Sequence, residues 1–248
     1  MSRYKFDHSF YSNLNCAPEN LKIERVNQAD HLPDGHQGIC CGLSTLQIIT
    51  QLNAGSKQFI NPLNDKNLIM DSQQLHNDKD LVSRCYVNFD KKPSTSLKDT
   101  KTVENDAARC TMYFDKRRAL IQQKTNISLK DTKTAATEFD SVDALAEHLK
   151  QKITKSTHDG KNRAAYVSFN INRHPVVGNR LNDSPSHVMS MTIQPDKSGV
   201  TCVGFESNLF FAVAEDKGGC YLLTEKIRHT LEAYDATHCQ TEFFTSRK

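Results

Sequence analysis

Two adjacent cysteines, Cys40 and Cys41, sit in the stretch His36-Gln37-Gly38-Ile39-Cys40-Cys41-Gly42-Leu43-Ser44-Thr45-Leu46. They follow a turn-prone Pro33-Asp34-Gly35 and open an apolar run with helical spacing. A thiol at a helix N-terminus sees unpaired N–H groups and the positive end of the helix dipole, and both favour thiolate. The same amides can hold an oxyanion. On a wheel of about 100° per residue, Cys40 shares a polar sector with Ser44, Gln47 and Gln51. Cys41 falls with Thr45, Ile48 and Leu52. This pattern predicts Cys41 as a packing residue and Cys40 as the one facing a site. The alternative is two structural thiols, which are common in cores.

A nucleophilic thiol needs a base, and a base needs an orienting group. The segment Ser186-His187-Val188-Met189-Ser190-Met191-Thr192-Ile193-Gln194 alternates, with His187 on the face of Met189, Met191 and Ile193. Pro195-Asp196-Lys197-Ser198 reads as a turn, and Gly199–Glu206 returns. A four-residue loop sets His187 directly opposite Glu206, with Cβ atoms about 4.5–5.5 Å apart. A carboxylate there can fix the imidazole tautomer and support its charge. Asn208, two residues on and on the same face, is the alternative orienting group. A strand-end histidine with ordinary partners is the plainer reading, since the chain has ten histidines.

The elements that must position these groups can be read in outline. Residues 1–35 look irregular. A helix is expected over 39–53, ended by Asn53-Ala54-Gly55, and 56–83 reads as loop-rich with a short helix near 75–82. A further helix begins at Asp140 or Ser141 and runs to about Lys155. Strands are expected at 164–171, 186–194, 199–206 and 208–214. A helix over 222–234 and a last strand at 239–244 complete the series. A helical front and a strand-rich back argue for an α+β fold with an antiparallel sheet.

At 248 residues the chain suits a single domain, 1–248, with an insertion. Within it, Arg84–Lys92 parallels Arg109–Arg117, and Ser96-Leu97-Lys98-Asp99-Thr100-Lys101-Thr102 recurs as Ser128-Leu129-Lys130-Asp131-Thr132-Lys133-Thr134. Two copies are too few for a solenoid, so residues 84–134 read as a local duplication serving structure or partner binding. The whole chain carries a net charge of +3, but 84–134 holds 12 Lys/Arg against 6 Asp/Glu. That segment could meet an anionic partner or membrane surface, or be a solvated insertion. Aromatic interleaving is too weak to suggest nucleic acid.

The eight cysteines form no CxxC pair and are too sparse for a disulfide scaffold, so reduced thiols and no metal site are expected. No run is apolar for long enough to span a membrane. The N-terminus Met1-Ser2-Arg3-Tyr4-Lys5 lacks the apolar core of a signal peptide.

Gly38-Ile39-Cys40-Cys41-Gly42-Leu43-Ser44 resembles the Gly-x-Cys-x-Gly-Leu-Ser/Thr nucleophile motif of the YopT/AvrPphB-type effector cysteine peptidases, a papain-like group. Ser186-His187-Val188-Met189-Ser190 resembles the histidine strand of that family. Gly204-Phe205-Glu206-Ser207-Asn208-Leu209-Phe210-Phe211 resembles its Phe-Asp-Pro-Asn block, with Glu206 in place of Asp and Ser207 in place of Pro. The resemblance covers about 36–53 and 186–234. It implies a papain-like α+β fold in which a helix bearing the nucleophile Cys40 packs on a sheet carrying His187 and Glu206. It implies cysteine protease activity through a thioester, without a cofactor. Gln37 is the nearest upstream amide for the oxyanion, with Gln28 and Asn27 as competitors. The resemblance further implies a secreted bacterial effector acting on a host protein in the host cytosol. The same Cys-His-acid chemistry would serve an acyltransferase, transglutaminase or deamidase, and a binding module with a decayed triad would keep the motifs without turnover.

Overall fold

The computed structural model describes residues 19–31, 39–77, 119–125, 127–128, 137–173, 186–197 and 199–246. Its centre is an eight-stranded sheet in which every pairing is antiparallel. The strands are β1 (Leu21–Arg25), β2 (Ile127–Ser128), β3 (Thr137–Phe139), β4 (Arg163–Asn170), β5 (Ser186–Asp196), β6 (Gly199–Glu206), β7 (Phe210–Ala214) and β8 (Thr237–Ser246). They lie in the order β1-β7-β6-β5-β4-β8, and both β2 and β3 pair with β8. The main helices are α1 (Cys40–Ala54), α2 (Lys66–Asn77), α3 (Val142–Asp159) and α4 (Lys217–Ala233).

The central strands β4, β5 and β6 are buried along almost their whole length, so both faces must be covered. On one face Met189, Met191 and Ile193 of β5 pack with Leu145, Leu149 and Ile153 of α3 and with Leu223, Ile227 and Leu231 of α4. On the other face α1 lies across the sheet. Ile48 and Ile49 cluster with Tyr166, Val188 and Phe244, while Leu43 joins Val203 and Phe205. The fold class is α+β, with the Cys40-bearing helix packed on an antiparallel sheet. This agrees with the papain-like arrangement expected above.

Local chemistry explains the helix ends. Ser141 caps α3, its side chain accepting the Ala144 N–H at 3.1 Å, and Gly160 ends the helix at a φ of 66°. Asp216 caps α4 by accepting the Gly219 N–H at 2.6 Å. This helix starts five residues earlier than expected, because Gly218-Gly219 reads as a breaker. A Cβ on Gly219 would stand 2.5 Å from the Asn20 carbonyl oxygen, so the glycine there allows close contact with the chain ahead of β1.

Three further expectations are corrected. Residues 21–25 are not irregular: they form β1, paired with β7 from Leu21 opposite Ala214 to Arg25 opposite Phe210. A helix stands ahead of the one expected near 75–82, at Lys66–Asn77 after an Asn61-capped 3-10 turn at Pro62–Asn64, and 78–82 lie outside the described residues. The β5–β6 hairpin is tighter than predicted, as Pro195 and Asp196 continue the strand and Asp196 pairs with Gly199.

Of the duplicated segment 84–134, only 119–125 and 127–128 lie among the described residues. Ile121 is fully buried beside Ile48 and Ile49 of α1, and Asn53 donates to the Lys124 carbonyl at 2.8 Å. The matched nonamers, the first heptamer copy and the rest of the second copy lie outside the described residues.

Candidate active site

The polar stripe of α1 faces the sheet, not solvent. Ser44, Gln47 and Gln51 have no exposed surface. Ser190 donates to Gln47 at 2.9 Å, Gln51 donates to Gln194 at 3.0 Å, and Ser44 reaches the Val188 carbonyl at 3.5 Å. These contacts advance along both elements together, so α1 runs in the same sense as β5. One turn back, Cys40 comes level with the start of β5. The wheel expectation is thereby corrected in part: Cys40, on the stripe, is 9% exposed, and Cys41 is the half-buried one rather than a core residue. A polar face can be an inside face when its partners are polar.

Among the described residues the α1 N-terminus has no side-chain cap, since its N-cap is Ile39. Ile39 instead donates its N–H to Gln28 Oε1 at 2.8 Å. Gln28 is buried, and its Nε2 donates to Asn208 Oδ1 at 2.7 Å. One glutamine therefore links the residue before Cys40 to the turn after β6.

His187 is the second residue of β5 and is 4% exposed. Its Nε2 meets Oε1 of Glu206, the fully buried last residue of β6. The register differs from expectation by two residues, because Glu206 pairs directly with Met189. A two-residue shift preserves side-chain facing, where a one-residue shift would have parted the pair. Glu206 thus reaches His187 along a diagonal. Oε1 also accepts the Asn208 backbone N–H at 3.2 Å, and Oε2 accepts the Tyr234 hydroxyl at 3.3 Å. Asn208 Nδ2 lies 3.5 Å from His187 Nε2. Phe169 meets the imidazole edge-on at 5.5 Å between centroids, and Tyr234 lies tilted at 5.6 Å.

The electrostatics centre on the Glu206 carboxylate. The Tyr234 phenol is pushed well above its ordinary range, first by burial and then by the Glu206 charge, with Cys40 adding in the same direction. Burial brings the Lys226 ammonium down to about 8, against the pull of Glu206. The remaining described thiols are core residues. Burial and the neighbouring Cys220 raise the Cys202 thiol, and burial raises Cys239 to about 11.

Gln37 lies outside the described residues. Of its competitors, Asn27 caps its own 3-10 turn by accepting the Ala29 N–H at 3.1 Å, whereas Gln28 stands inside the cluster. Tyr234 was not among the residues picked from the sequence, where it reads only as the end of a helix. Lys226 was missed likewise, since one lysine on an amphipathic helix carries no signal. Among the described residues no group of three or more His, Cys, Asp or Glu could hold a metal ion, and no helix is long and apolar enough to cross a membrane.

No protein-family model matches the chain, and no curated protein matches it. Among solved structures it is similar to the crystal structure of the Pseudomonas avirulence protein AvrPphB. The identity is 17%, the match covers 86% of this chain and 93% of that one, and the TM-score is 0.47.

Proposed function

We propose that this chain is a cysteine peptidase of the effector type, with Cys40 as nucleophile, His187 as base and Glu206 as the orienting acid. The observation that carries the reading is the contact between His187 Nε2 and a fully buried Glu206, at the level of the sheet where α1 begins with Cys40. With Nε2 occupied by a carboxylate, Nδ1 is the nitrogen left to accept the Cys40 proton. The thiolate then attacks the substrate carbonyl carbon, and the carbonyl electrons move to oxygen. The Cys40 backbone N–H and the Gln28 side-chain amide are the donors best suited to that oxyanion. Collapse breaks the C–N bond, and the amine leaves with the proton from His187. Water, deprotonated by His187, attacks the thioester and releases the acid and the free thiol. No cofactor takes part in these steps.

The motif resemblance extends the reading to a host protein substrate and a secreted bacterial protein acting in the host cytosol. Under it, the basic segment 84–134 recruits an anionic partner or membrane surface and supplies no catalytic group.

The experiment is substrate capture with Cys40→Ala, followed by intact mass spectrometry of the captured protein after exposure to the wild-type chain. Hydrolysis splits the substrate, acyl transfer adds a chain, and deamidation adds about one mass unit through loss of NH for O. Cys40→Ala should abolish turnover with an unchanged circular dichroism spectrum, and Cys41→Ala should retain it. The reverse pattern overturns the assignment, and an unsplit but modified substrate replaces hydrolysis with transfer or deamidation.

A further inference from the structure

We infer that Tyr234 is a positioning residue of this site, holding the second oxygen of Glu206 so that the carboxylate stays aimed at His187. The inference rests on the Cys40-His187-Glu206 reading and deepens it.

A carboxylate with no exposed surface must have its charge answered by hydrogen bonds. Glu206 Oε1 takes His187 Nε2 and the Asn208 N–H, while the donor on Oε2 is the Tyr234 hydroxyl. Tyr234 is the C-cap of α4 and is 2% exposed, so it comes from an element that contributes neither Cys40 nor His187. Its position is secured by packing and by the backbone. The ring stands 5.5 Å from Phe169 and 5.6 Å from His187, and its carbonyl accepts the N–H groups of Asn172 and Arg173 at 3.2 and 3.0 Å. One side chain therefore packs against the base and donates to the acid.

The charged and titratable groups around this carboxylate come from three elements. His187 approaches from β5, and Tyr234 and Lys226 from α4 and its cap. Cys40, at the start of α1, acts electrostatically on the same phenol. A phenol held well above its ordinary range stays protonated and donating throughout the range in which His187 must work. Without it, Oε2 loses the Tyr234 donor and the carboxylate is freer to turn away from His187. A displaced Glu206 would support the imidazole less well, and under the proposed triad Cys40 would be activated less well in turn.

The test needs no substrate. The rate of Cys40 alkylation by iodoacetamide in the full chain is followed from pH 4 to 9 by mass spectrometry of the Cys40 peptide. The wild type should react well below the ordinary thiol pKa of about 8.5. Tyr234→Phe keeps the ring and removes the donor. Its acid limb should move up by about one pH unit, the scale of one hydrogen bond to a charged group. The two rates should converge above about pH 8.5, where the thiolate forms without help. A merely structural role would instead change the rate at every pH and open Cys202 and Cys220 to alkylation. 3-Fluorotyrosine placed at 234 is a stronger donor with the same shape, and its limb should move down. It also decides the matter if Tyr234→Phe does not fold. Profiles that superimpose for wild type and either variant overturn the role of Tyr234 alone. A wild-type limb at the ordinary thiol pKa overturns the triad reading, and this inference with it.

Discussion

Glu206 meets the imidazole of His187 on a diagonal, two positions away from the residue directly opposite it across the β5–β6 ladder. The diagonal brings the turn residue Asn208 in as well, with its N–H on the carboxylate and its amide 3.5 Å from the same ring nitrogen. Under the proposed triad the two candidate orienting residues therefore act in series rather than as alternatives: Glu206 faces the imidazole, and the Asn208 backbone N–H holds the Glu206 oxygen.

This arrangement ranks two substitutions. Glu206→Gln keeps the shape but removes the charge facing the imidazole, and should lower Cys40 alkylation at pH 6 by roughly one to two orders of magnitude. Asn208→Ala preserves the backbone N–H to Oε1 and should cost only a few-fold. Equal losses, or a larger loss for Asn208→Ala, would shift the orienting role to Asn208.

Gly42 is the motif glycine two residues after Cys40, and its role is packing. A Cβ there would stand 2.7 Å from the Ser72 carbonyl oxygen and 3.1 Å from the Ser72 Cα, both backbone atoms of α2. Gly42→Ala should force α1 and α2 apart and cost about 2 kcal/mol. At Gly204 the neighbour is the end of the Leu223 side chain, 2.9 Å away, which can turn aside. Chemical denaturation should therefore find Gly204→Ala the milder of the two; the opposite order would mean that α2 yields easily.

How much of this was legible follows from the kind of signal each element leaves. The alternation at 186–194 and 199–206 marks the central strands, because residues on both faces meet a packed layer. The Cys40 motif marks the start of α1, because a turn precedes an apolar run. Leu21–Arg25 left little trace: it is a five-residue edge strand in which Lys22, Glu24 and Arg25 are exposed. The inward polar stripe of α1 defeats a rule that equates polar with outside, since Gln47 accepts from Ser190 of β5 and Gln51 bonds both Gln194 of β5 and the Gly55 and Gln58 carbonyls just past its own helix. Tyr234 is illegible for the same reason. Its hydroxyl acquires a meaning only when the end of α4 meets the end of β6.

Arg163 is 3% exposed at the start of β4, and Asp159 at the end of α3 answers it, with Nη1 to Oδ1 at 2.9 Å and Ser156 adding a bond at 2.8 Å. The Arg163 guanidinium holds the Asp159 carboxyl down at about 2, from an ordinary 3.8. A depressed carboxyl stabilises the fold above its unfolded pKa, and that contribution fades as pH falls toward the folded value. At pH 7 the shift corresponds to about 2 kcal/mol, trimmed to about 1–2 by water at the partly open Asp159. Urea denaturation should find Asp159→Asn less stable than wild type by that margin at pH 7. The gap should narrow below about pH 4 and close near pH 2. A gap independent of pH would assign the loss to packing.

Ser207 lies between Glu206 and Asn208, fully buried, and among the described residues its hydroxyl has no hydrogen-bond partner. A buried unsatisfied hydroxyl costs free energy that alanine does not. Ser207→Ala should therefore be neutral or raise stability by up to about 1 kcal/mol, with the alkylation profile of Cys40 unchanged. A clear loss of stability would show that the hydroxyl is engaged, by water or by substrate-side groups.

The thiols themselves offer the most direct reading of the site. Cys202 and Cys220 have no exposed surface, and Cys220 donates weakly to the Val200 carbonyl at 3.6 Å. Burial holds the Cys202 thiol far up and Cys239 at about 11, so neither presents a thiolate at neutral pH. Cys40 is nearly as buried, at 9% exposed, but opens α1 and acts electrostatically on the Tyr234 phenol that donates to Glu206. Exposure alone would thus rank Cys41, the half-buried thiol, as the faster to react. The proposed triad reverses the order. In native protein at pH 6, peptide mapping after iodoacetamide should find Cys40 modified at least about tenfold faster than Cys41. Cys202, Cys220 and Cys239 should stay untouched until denaturant is added. His187→Ala should reverse the preference, because without the imidazole Cys40 keeps its burial and loses its counter-charge. If Cys41 leads in the wild type, accessibility and not thiolate chemistry governs this helix end, and the nucleophile assignment fails with it.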